Sequence, residues 1–230
     1  MEISEQRFVG TSGGGEPSGS LTIDAGNNRK LVLVVVGEDG TNWSVTTMTV
    51  GGQSASSTLS VVESGAGFNT SCRGFVWDET AIAAMSGTTI SYADDVAVDY
   101  IAWAYLVVDD ADQSADSWAD TQTGDDPTIT TGGTSADLVY LFGAHPDGTL
   151  GVSDWDTGMT EIWVDDLTSF EGDAASGAGG DSPYTLVVSG SSSAHAFGGL
   201  VLSPAAGGVT DVNFSGSNRG IMRGVGRGVG

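Results

Sequence analysis

The hydrophobic pattern of this chain consists of short apolar runs separated by glycine, aspartate and serine. The dominant run is Arg29 to Gly37 (RKLVLVVVG), in which six consecutive apolar, mostly β-branched residues end at a glycine. Comparable runs occur at Tyr100 to Val108, Leu138 to Phe142 and Phe197 to Leu202. Such runs, bounded by turn residues, favour strands over helices. We expect Arg29 to Gly37 to be a core strand that is buried on both faces.

Further strands are predicted between turn sequences such as GEDGTN and GGQS, in an antiparallel meander. One short helix is predicted in ETAIAAM, with Asp78 as its N-cap and Glu79 in its first turn. Asp109 to Asp126 and Gly172 to Gly180 are polar or glycine-rich, so we predict long surface loops there. The other predicted strands are Gln6 to Gly10, Ser20 to Asp24, Ser44 to Val50, Thr58 to Val62, Gly74 to Asp78, Thr88 to Tyr92, Thr128 to Thr131, Met159 to Val164, Tyr184 to Ser189 and Val209 to Phe214.

About a dozen short strands and one helical turn predict an all-β protein, an antiparallel two-sheet sandwich. The length of 230 residues fits a single domain of this class. We place the sandwich at residues 20–215, an N-terminal arm and linker at 1–19, and an Arg-Gly tail at 216–230. Both termini are expected to be extended arms.

The charge balance is strongly acidic. The chain has 30 acidic and 7 basic residues, a net charge of −23, and Lys30 is its only lysine. Such a surface repels itself in dilute buffer, but at about 1 M salt the screening length falls to about 3 Å. The composition therefore predicts an extreme halophile, or a virus of one, as the source.

The last 14 residues, SNRGIMRGVGRGVG, carry three arginines and no acid. In an extended chain, Arg219, Arg223 and Arg227 lie on one side, and the repeated glycines disfavour a helix. Together with Ile221 and Met222 they form a predicted partner-binding segment for an acidic neighbouring copy or scaffold. Simple terminal disorder is the alternative. Nucleic acid is not an expected partner, because the acidic body repels phosphate.

Three tryptophans, Trp43, Trp118 and Trp155, fall in polar stretches of the chain. An indole in such a place can stack on a sugar or anchor a partner subunit. We therefore take these three as candidates for surface recognition, with plain loop packing as an equally weighted alternative. Trp77 and Trp103 lie inside apolar runs and are predicted to be core residues.

Catalytic chemistry has little support in the sequence. Paired carboxylates will meet the spacing of a glycosidase by chance among so many acids. His145 and His195 lack the spacing of a metal site or the context of a nucleophile elbow. We assign no catalytic residue, metal ligand or cofactor. Ca²⁺ or Mg²⁺ at the Asp-rich loop stays open, because hard cations prefer clustered oxygen ligands, although the spacing matches no EF-hand. Cys72, the single cysteine, is predicted to be a small buried residue.

The N-terminus, MEISEQRFVG, has neither the basic nor the apolar region of a secretory signal, and no apolar run approaches the roughly 18 residues of a membrane span. Secretion and membrane insertion are therefore not expected. Asn42, Asn69 and Asn213 each begin an Asn-x-Ser/Thr triplet, for which chance matches and glycosylation both stay open.

Five phrases occur along the chain in the order TIDAGNNRKLVLVVVG, TMTVGGQSAS, FVWDE, VVDDADQSAD and SSAHAFGGLVLSP. This series, from Leu21 to Pro204, resembles a jelly-roll-like β-sandwich family of structural and surface proteins of tailed viruses and proviruses. The ending RGIMRGVGRGVG is similar to endings of virion-associated proteins. The resemblance implies a tail fibre, a baseplate component or a capsid-decorating or turret protein, displayed as a symmetric oligomer. Its motifs are structural, so it implies no catalytic residues.

The acidity departs from that family pattern and points to a haloarchaeal host. The sequence thus predicts a non-enzymatic virion structural protein of a haloarchaeal tailed virus, made in the host cytoplasm. Its expected partners are copies of itself, other virion proteins and glycans of the host surface. Two alternatives stay open: a cell-surface carbohydrate-binding module of a halophile, favoured by the tryptophans in polar stretches, and a glycan-cleaving enzyme.

Overall fold

The computed structural model describes residues 2–12, 16–64, 69–114, 117–120, 128–129, 134, 136–145, 160–167, 170–178, 184–185, 196–206 and 213–214. These residues form sixteen strands and one helix. In chain order they are β1 (Glu2–Ser12), β2 (Lys30–Asp39), β3 (Val45–Val50), β4 (Gln53–Ser54), β5 (Ser57–Ser64), β6 (Asn69–Trp77), α1 (Glu79–Ala84), β7 (Ile90–Asp94), β8 (Tyr100–Asp109), β9 (Ser117–Asp120), β10 (Thr128–Ile129), β11 (Leu138–His145), β12 (Thr160–Leu167), β13 (Phe170–Ala178), β14 (Tyr184–Thr185), β15 (Ala196–Leu202) and β16 (Asn213–Phe214).

The largest sheet has six strands in the order β16-β1-β8-β2-β6-β5. Its neighbours pair antiparallel, except that β1 and β16 pair parallel. Strand β2 lies in the middle, between β6 and β8, and all ten of its residues are buried. The prediction that the RKLVLVVVG run is a core strand buried on both faces is confirmed.

A five-stranded sheet, in the order β12-β13-β11-β15-β9, covers one face of the six-stranded sheet. Successive strand side chains point to opposite faces, so Val32, Val34 and Val36 of β2 enter this first core together. From the five-stranded sheet, Tyr140 and Phe142 of β11 pack against them. Each fully buried side chain of this kind stabilises the fold by about 1.5–3 kcal/mol.

A second core fills the opposite face of the six-stranded sheet. The alternate residues of β2, Leu31, Leu33 and Val35, pack there with Trp77 and Trp103. A three-stranded sheet, in the order β4-β3-β7, and helix α1 cover this core. The six-stranded sheet is therefore the middle layer of three, and both tryptophans that were predicted to be core residues are buried.

The fold class is all-β, with antiparallel sheets and one short helix, as predicted. Helix α1 begins as expected, because Asp78 Oδ1 accepts the Ala81 N–H at 2.8 Å and Glu79 lies in the first turn. Cys72 is fully buried, and this burial raises the pKa of its thiol. The jelly-roll connectivity stays a prediction.

Two of the predicted loops were wrong in part. Ser117–Asp120 is β9, which pairs with β15, and Phe170–Ala178 is β13, which pairs with both β11 and β12. Glycine and alanine have low strand propensity, but hydrogen bonding on both sides overrides it in β13. In the segment predicted as an N-terminal arm, β1 pairs along its length with β8, so the predicted strand Gln6 to Gly10 is its central part.

Candidate functional site

A polar pocket of about 270 Å³ opens where β2 begins and β6 ends. It lies beside helix α1 and the segment that follows β8. Its wall combines one indole, one ammonium group, one carboxylate, an amide and several hydroxyls. The lining residues are Lys30, Ser56, Ser57, Thr58, Asp78, Gln113, Ser114 and Trp118. We call this cavity the Trp118 pocket.

Trp118 forms the apolar wall of the Trp118 pocket and is held by the first core. Its indole N–H donates to Ser57 Oγ. Its ring meets the Phe142 ring edge-on, with centroids 6.4 Å apart. Its six-membered ring lies against Gly74, where a β-carbon would come within 2.7 Å. The half-buried indole is thus fixed in position, because both its polar and its apolar atoms have partners.

Lys30, the only lysine of the chain, also lines the pocket. It is 3% exposed, and its Nζ donates to the Ser114 carbonyl at 3.2 Å. Burying an ammonium group is costly unless polar atoms surround it. This contact joins the first residue of β2 to the segment after β8.

An ion pair fixes the adjoining side of the pocket. Arg29 Nη2 lies 2.6 Å from Glu79 Oε1, while Arg29 Nε and the Arg29 backbone N–H donate to Glu79 Oε2. The side-chain hydrogen bonds raise the pKa of Arg29 and lower the pKa of Glu79. The Glu79 N–H in turn donates to Gln113 Oε1 at 2.7 Å, and Gln113 Nε2 donates to the Ala111 carbonyl at 2.9 Å. The network ties helix α1 to the segment after β8.

The DADQS segment, Asp110 to Ser114, is itself bonded to the end of β15. Asp112 N–H donates to the Ser203 carbonyl and Ala205 N–H donates to the Asp110 carbonyl, both at 2.7 Å. Within the segment, Asp112 Oδ1 accepts the Ser114 N–H at 2.9 Å, and this hydrogen bond lowers the pKa of Asp112. The phrases DADQSAD and GGLVLSP, far apart in sequence, therefore meet at one end of the sandwich.

The chemistry of the Trp118 pocket suits a small polar ligand. An indole wall with hydroxyl, amide and charged groups can bind a molecule with both apolar and hydroxylated faces. Its volume is below the roughly 300–1,000 Å³ of pockets for drug-sized ligands, so about one sugar ring is the scale of ligand that it admits. Asp78 is the only carboxylate among its described lining residues, and its Oδ1 already caps α1.

The three candidate recognition tryptophans have different outcomes. Trp118 lines the pocket, whereas Trp155 lies outside the described residues. Trp43 is only 1% exposed, so its indole is not available for surface recognition, and packing, the equally weighted alternative, describes it. The physical reason is Arg73, whose guanidinium carbon lies 5.5 Å from the centre of the Trp43 ring and whose Nη2 donates to the Trp43 carbonyl at 2.7 Å.

The predicted partner-binding segment, which comprises Arg219, Ile221, Met222, Arg223 and Arg227, also lies outside the described residues. Sequence reasoning did not single out Ser57, Asp78 or Gln113 as pocket residues. The signals available were the isolated lysine at position 30 and the DADQS phrase, which carries both amide and carboxylate groups. Neither signal shows which distant residue it will meet.

Over the described ranges, no group of three or more His, Cys, Asp or Glu side chains is arranged to hold a metal ion. Within the same part of the chain, no helix has the length and hydropathy that crossing a membrane requires. Comparison of the chain with protein-family models, with curated proteins and with solved structures gave no match.

Proposed function

We propose that this protein is a non-enzymatic structural component of the virion of a haloarchaeal tailed virus, and that it contributes to attachment at the host surface. It would serve as part of a tail fibre, a baseplate or a capsid decoration, beside copies of itself and other virion proteins. The observation that carries the proposal is the network of hydrogen bonds around the pocket at one end of the sandwich. There, Arg29, Glu79 and Gln113 hold the rim of a polar pocket to a three-layer core.

Rigidity is the property that links this geometry to a virion. Particle proteins must present a surface without unfolding, and function is often located in loops that a rigid scaffold positions. Here the Asp110 to Ser114 segment is hydrogen-bonded to the residues after β15 and to α1, and such contacts preorganise a pocket for its ligand. The net charge of −23 supports a saline source, and the sequence resemblance supports the virion.

Attachment is proposed to occur through the Trp118 pocket, with a saccharide as ligand. An indole provides a flat apolar wall for a sugar ring, the Ser57 hydroxyl lies beside it, and Ser56 and Ser114 also line the pocket. The same observation favours the second candidate function, a cell-surface carbohydrate-binding module of a halophile. The location of the protein separates the two functions, because both include the same pocket.

The location can be measured on particles. We expect mass spectrometry of purified virions to detect the protein, and antibody labelling to place it at a fibre, baseplate or capsid surface in regular copies. Neighbouring genes for capsid, portal or tail proteins are the corresponding expectation for the genome. Detection in the envelope of uninfected cells, with none in particles, would replace the virion proposal by the carbohydrate-binding module.

A test of saccharide binding needs a variant that leaves the core contacts intact. Truncating Trp118 would remove its contacts with Gly74 and Phe142, so lost binding could reflect unfolding. Ser114 is exposed and lines the pocket, so Ser114→Trp should fill the cavity and abolish binding to an array of neutral, amino and acidic saccharides in molar salt. Ser60→Trp, at an exposed position of β5 that does not line the pocket, is the control. Equal binding by both variants would reject the pocket as the saccharide site.

Assembly is proposed to use the Arg-Gly tail. Deleting residues 219–230 should impair incorporation into particles and leave the melting temperature unchanged. Incorporation equal to that of the full chain would exclude a role of the tail in assembly.

A further inference from the structure

Three buried polar atoms without a hydrogen-bond partner lie together under the loop that carries Trp43. They are Arg73 Nε, Trp43 Nε1 and Ser71 Oγ. The exposed fractions of the three residues are 7%, 1% and 0%. A buried donor without a partner costs about 1–3 kcal/mol, more when it is charged, and is rare in folded proteins. Three such groups in one region can be satisfied together by one bound molecule or ion.

The three groups gather over Gly37 of the six-stranded sheet. Ser71 pairs directly with Gly37, so their Cα positions face each other across β2 and β6. A β-carbon at Gly37 would lie 2.9 Å from Trp43 Cζ2, the ring atom beside the carbon that carries Nε1. Arg73 follows Ser71 by two residues and therefore projects from the same face of the sheet. We call this cluster the Gly37 site.

The Gly37 site carries a buried positive charge. Arginine stays protonated in proteins, and no carboxylate oxygen of the described residues lies within 4.0 Å of the Arg73 guanidinium. Burial lowers the pKa of Arg73, which is the sign of a poorly solvated charge. Its stacking on Trp43 and its bond to the Trp43 carbonyl offset only part of that cost.

The acidic side chains of Asp95 and Asp39 accept hydrogen bonds from groups outside the Gly37 site. Asp95 raises the pKa of Arg73 at longer range, but its Oδ1 accepts the Ser44 N–H at 2.7 Å. Asp39, on the same face of β2 as Gly37, accepts from the backbone and hydroxyl of Thr41, both at 2.8 Å. These contacts leave the three donors of the Gly37 site without a carboxylate partner among the described residues.

We propose that the Gly37 site binds one small monovalent anion, which is chloride in a saline environment. Arg73 Nε–H and Trp43 Nε1–H can only donate, and the Ser71 hydroxyl can rotate to donate as well. An anion accepts all three bonds and neutralises the guanidinium. A water molecule accepts about two bonds and must also find acceptors for its own hydrogens.

Bromide is the direct probe, because it replaces chloride and scatters anomalously. Crystals of the full chain grown in potassium bromide should show an anomalous peak in hydrogen-bond contact with Arg73 Nε and Trp43 Nε1. Density for an ordered water at that place, without a bromide signal, would overturn the proposal.

Matched variants test the same site in solution. Trp43→Phe removes the indole N–H and keeps a ring under Arg73, and Ser71→Ala removes the hydroxyl. Trp77→Phe is the control, since the Trp77 N–H donates to the Gln53 carbonyl in the same core. Replacing potassium glutamate by potassium bromide, both at about 1 M, shifts the Tm of every variant through the general effect of the salt. Anion binding should give the unaltered chain and the control an additional rise of about 3–6 °C, the effect of a ligand at ten times its Kd.

The two site variants should lose most of that rise. If all four proteins shift equally, the effect is a general property of the salt and the anion site is rejected. If Trp43→Phe does not fold, Ser71→Ala and the crystallographic measurement still decide the question.

Discussion

Trp118 lies directly against Gly74, so close that a β-carbon at position 74 would come within 2.7 Å of two atoms of the indole ring. The same β-carbon would lie 3.0 Å from Phe142 Cζ. Because neither ring can withdraw without breaking core contacts, Gly74→Ala should lower the free energy of unfolding by about 1–3 kcal/mol. Denaturant titration in molar salt measures this loss.

The control for that substitution is Gly40→Ala. No atom lies within 4 Å of a β-carbon at Gly40, so alanine there should change stability by less than about 1 kcal/mol. An equal loss at both positions would show that close approach to Trp118 is not what requires glycine in β6.

Asp78 caps helix α1 through its contact with the Ala81 N–H. Asp78→Ala should reduce the free energy of unfolding by about 1 kcal/mol, since the first turn loses its side-chain acceptor. Asp78→Asn keeps an acceptor oxygen and should cost much less. If the two substitutions prove equally harmful, the carboxylate has a role other than capping.

The pair of Arg29 and Glu79 should make stability depend on pH in the acidic range. The pKa of Glu79 is lowered from 4.5 in the folded chain, mainly by its side-chain hydrogen bonds from Arg29. The stabilisation is therefore complete above about pH 4.5 and is lost as the pH falls through the folded value. Glu79→Gln should cost about 0.5–1 kcal/mol at neutral pH and low salt, and the difference from the unaltered chain should shrink below pH 4.5.

Glu16→Gln provides the comparison for Glu79. Glu16 is exposed, so removing its charge should change the free energy of unfolding by less than about 0.5 kcal/mol. A difference at Glu79 that stays constant down to the lowest pH measured would argue against the ion pair as its cause.

Salt should stabilise the whole chain. With a net charge of −23, self-repulsion opposes the compact state, and screening removes most of that repulsion at about 1 M salt. We expect the Tm in potassium chloride to rise from low to molar concentration, with the steepest change at the low end. A Tm that is independent of salt would contradict the halophilic interpretation.

Much of the fold could be predicted from local patterns. The apolar run of β2 and the Asp78 cap each depend on neighbours in sequence, and both were predicted correctly. Strand β13 was missed because its glycine and alanine residues carry no strand signal, and only its pairing with β11 and β12 makes it a strand. Local propensity cannot encode such pairing.

The candidate site was harder to predict than the fold. Lys30, Asp78 and Trp118 lie far apart in sequence, and the packing of the five-stranded sheet on the six-stranded sheet brings them to one cavity. Trp43 was misplaced for a related reason. Its flanking residues are polar, yet Arg73, thirty positions away, covers the indole. A tryptophan in a polar stretch thus gives no measure of its own exposure.

The position of the six-stranded sheet as the middle layer has a consequence for synthesis. Strands β2, β6 and β8 are complete by Asp109, and so are the three-stranded sheet and α1 that cover one face. The other face, with Val32, Val34 and Val36, is covered by β11 and β15, the last of which ends at Leu202. At 5–20 residues per second, the ribosome needs about 5–20 s to make the intervening chain. During that interval Val32, Val34 and Val36 have no five-stranded sheet to pack against, because the strands that cover them have not yet been made.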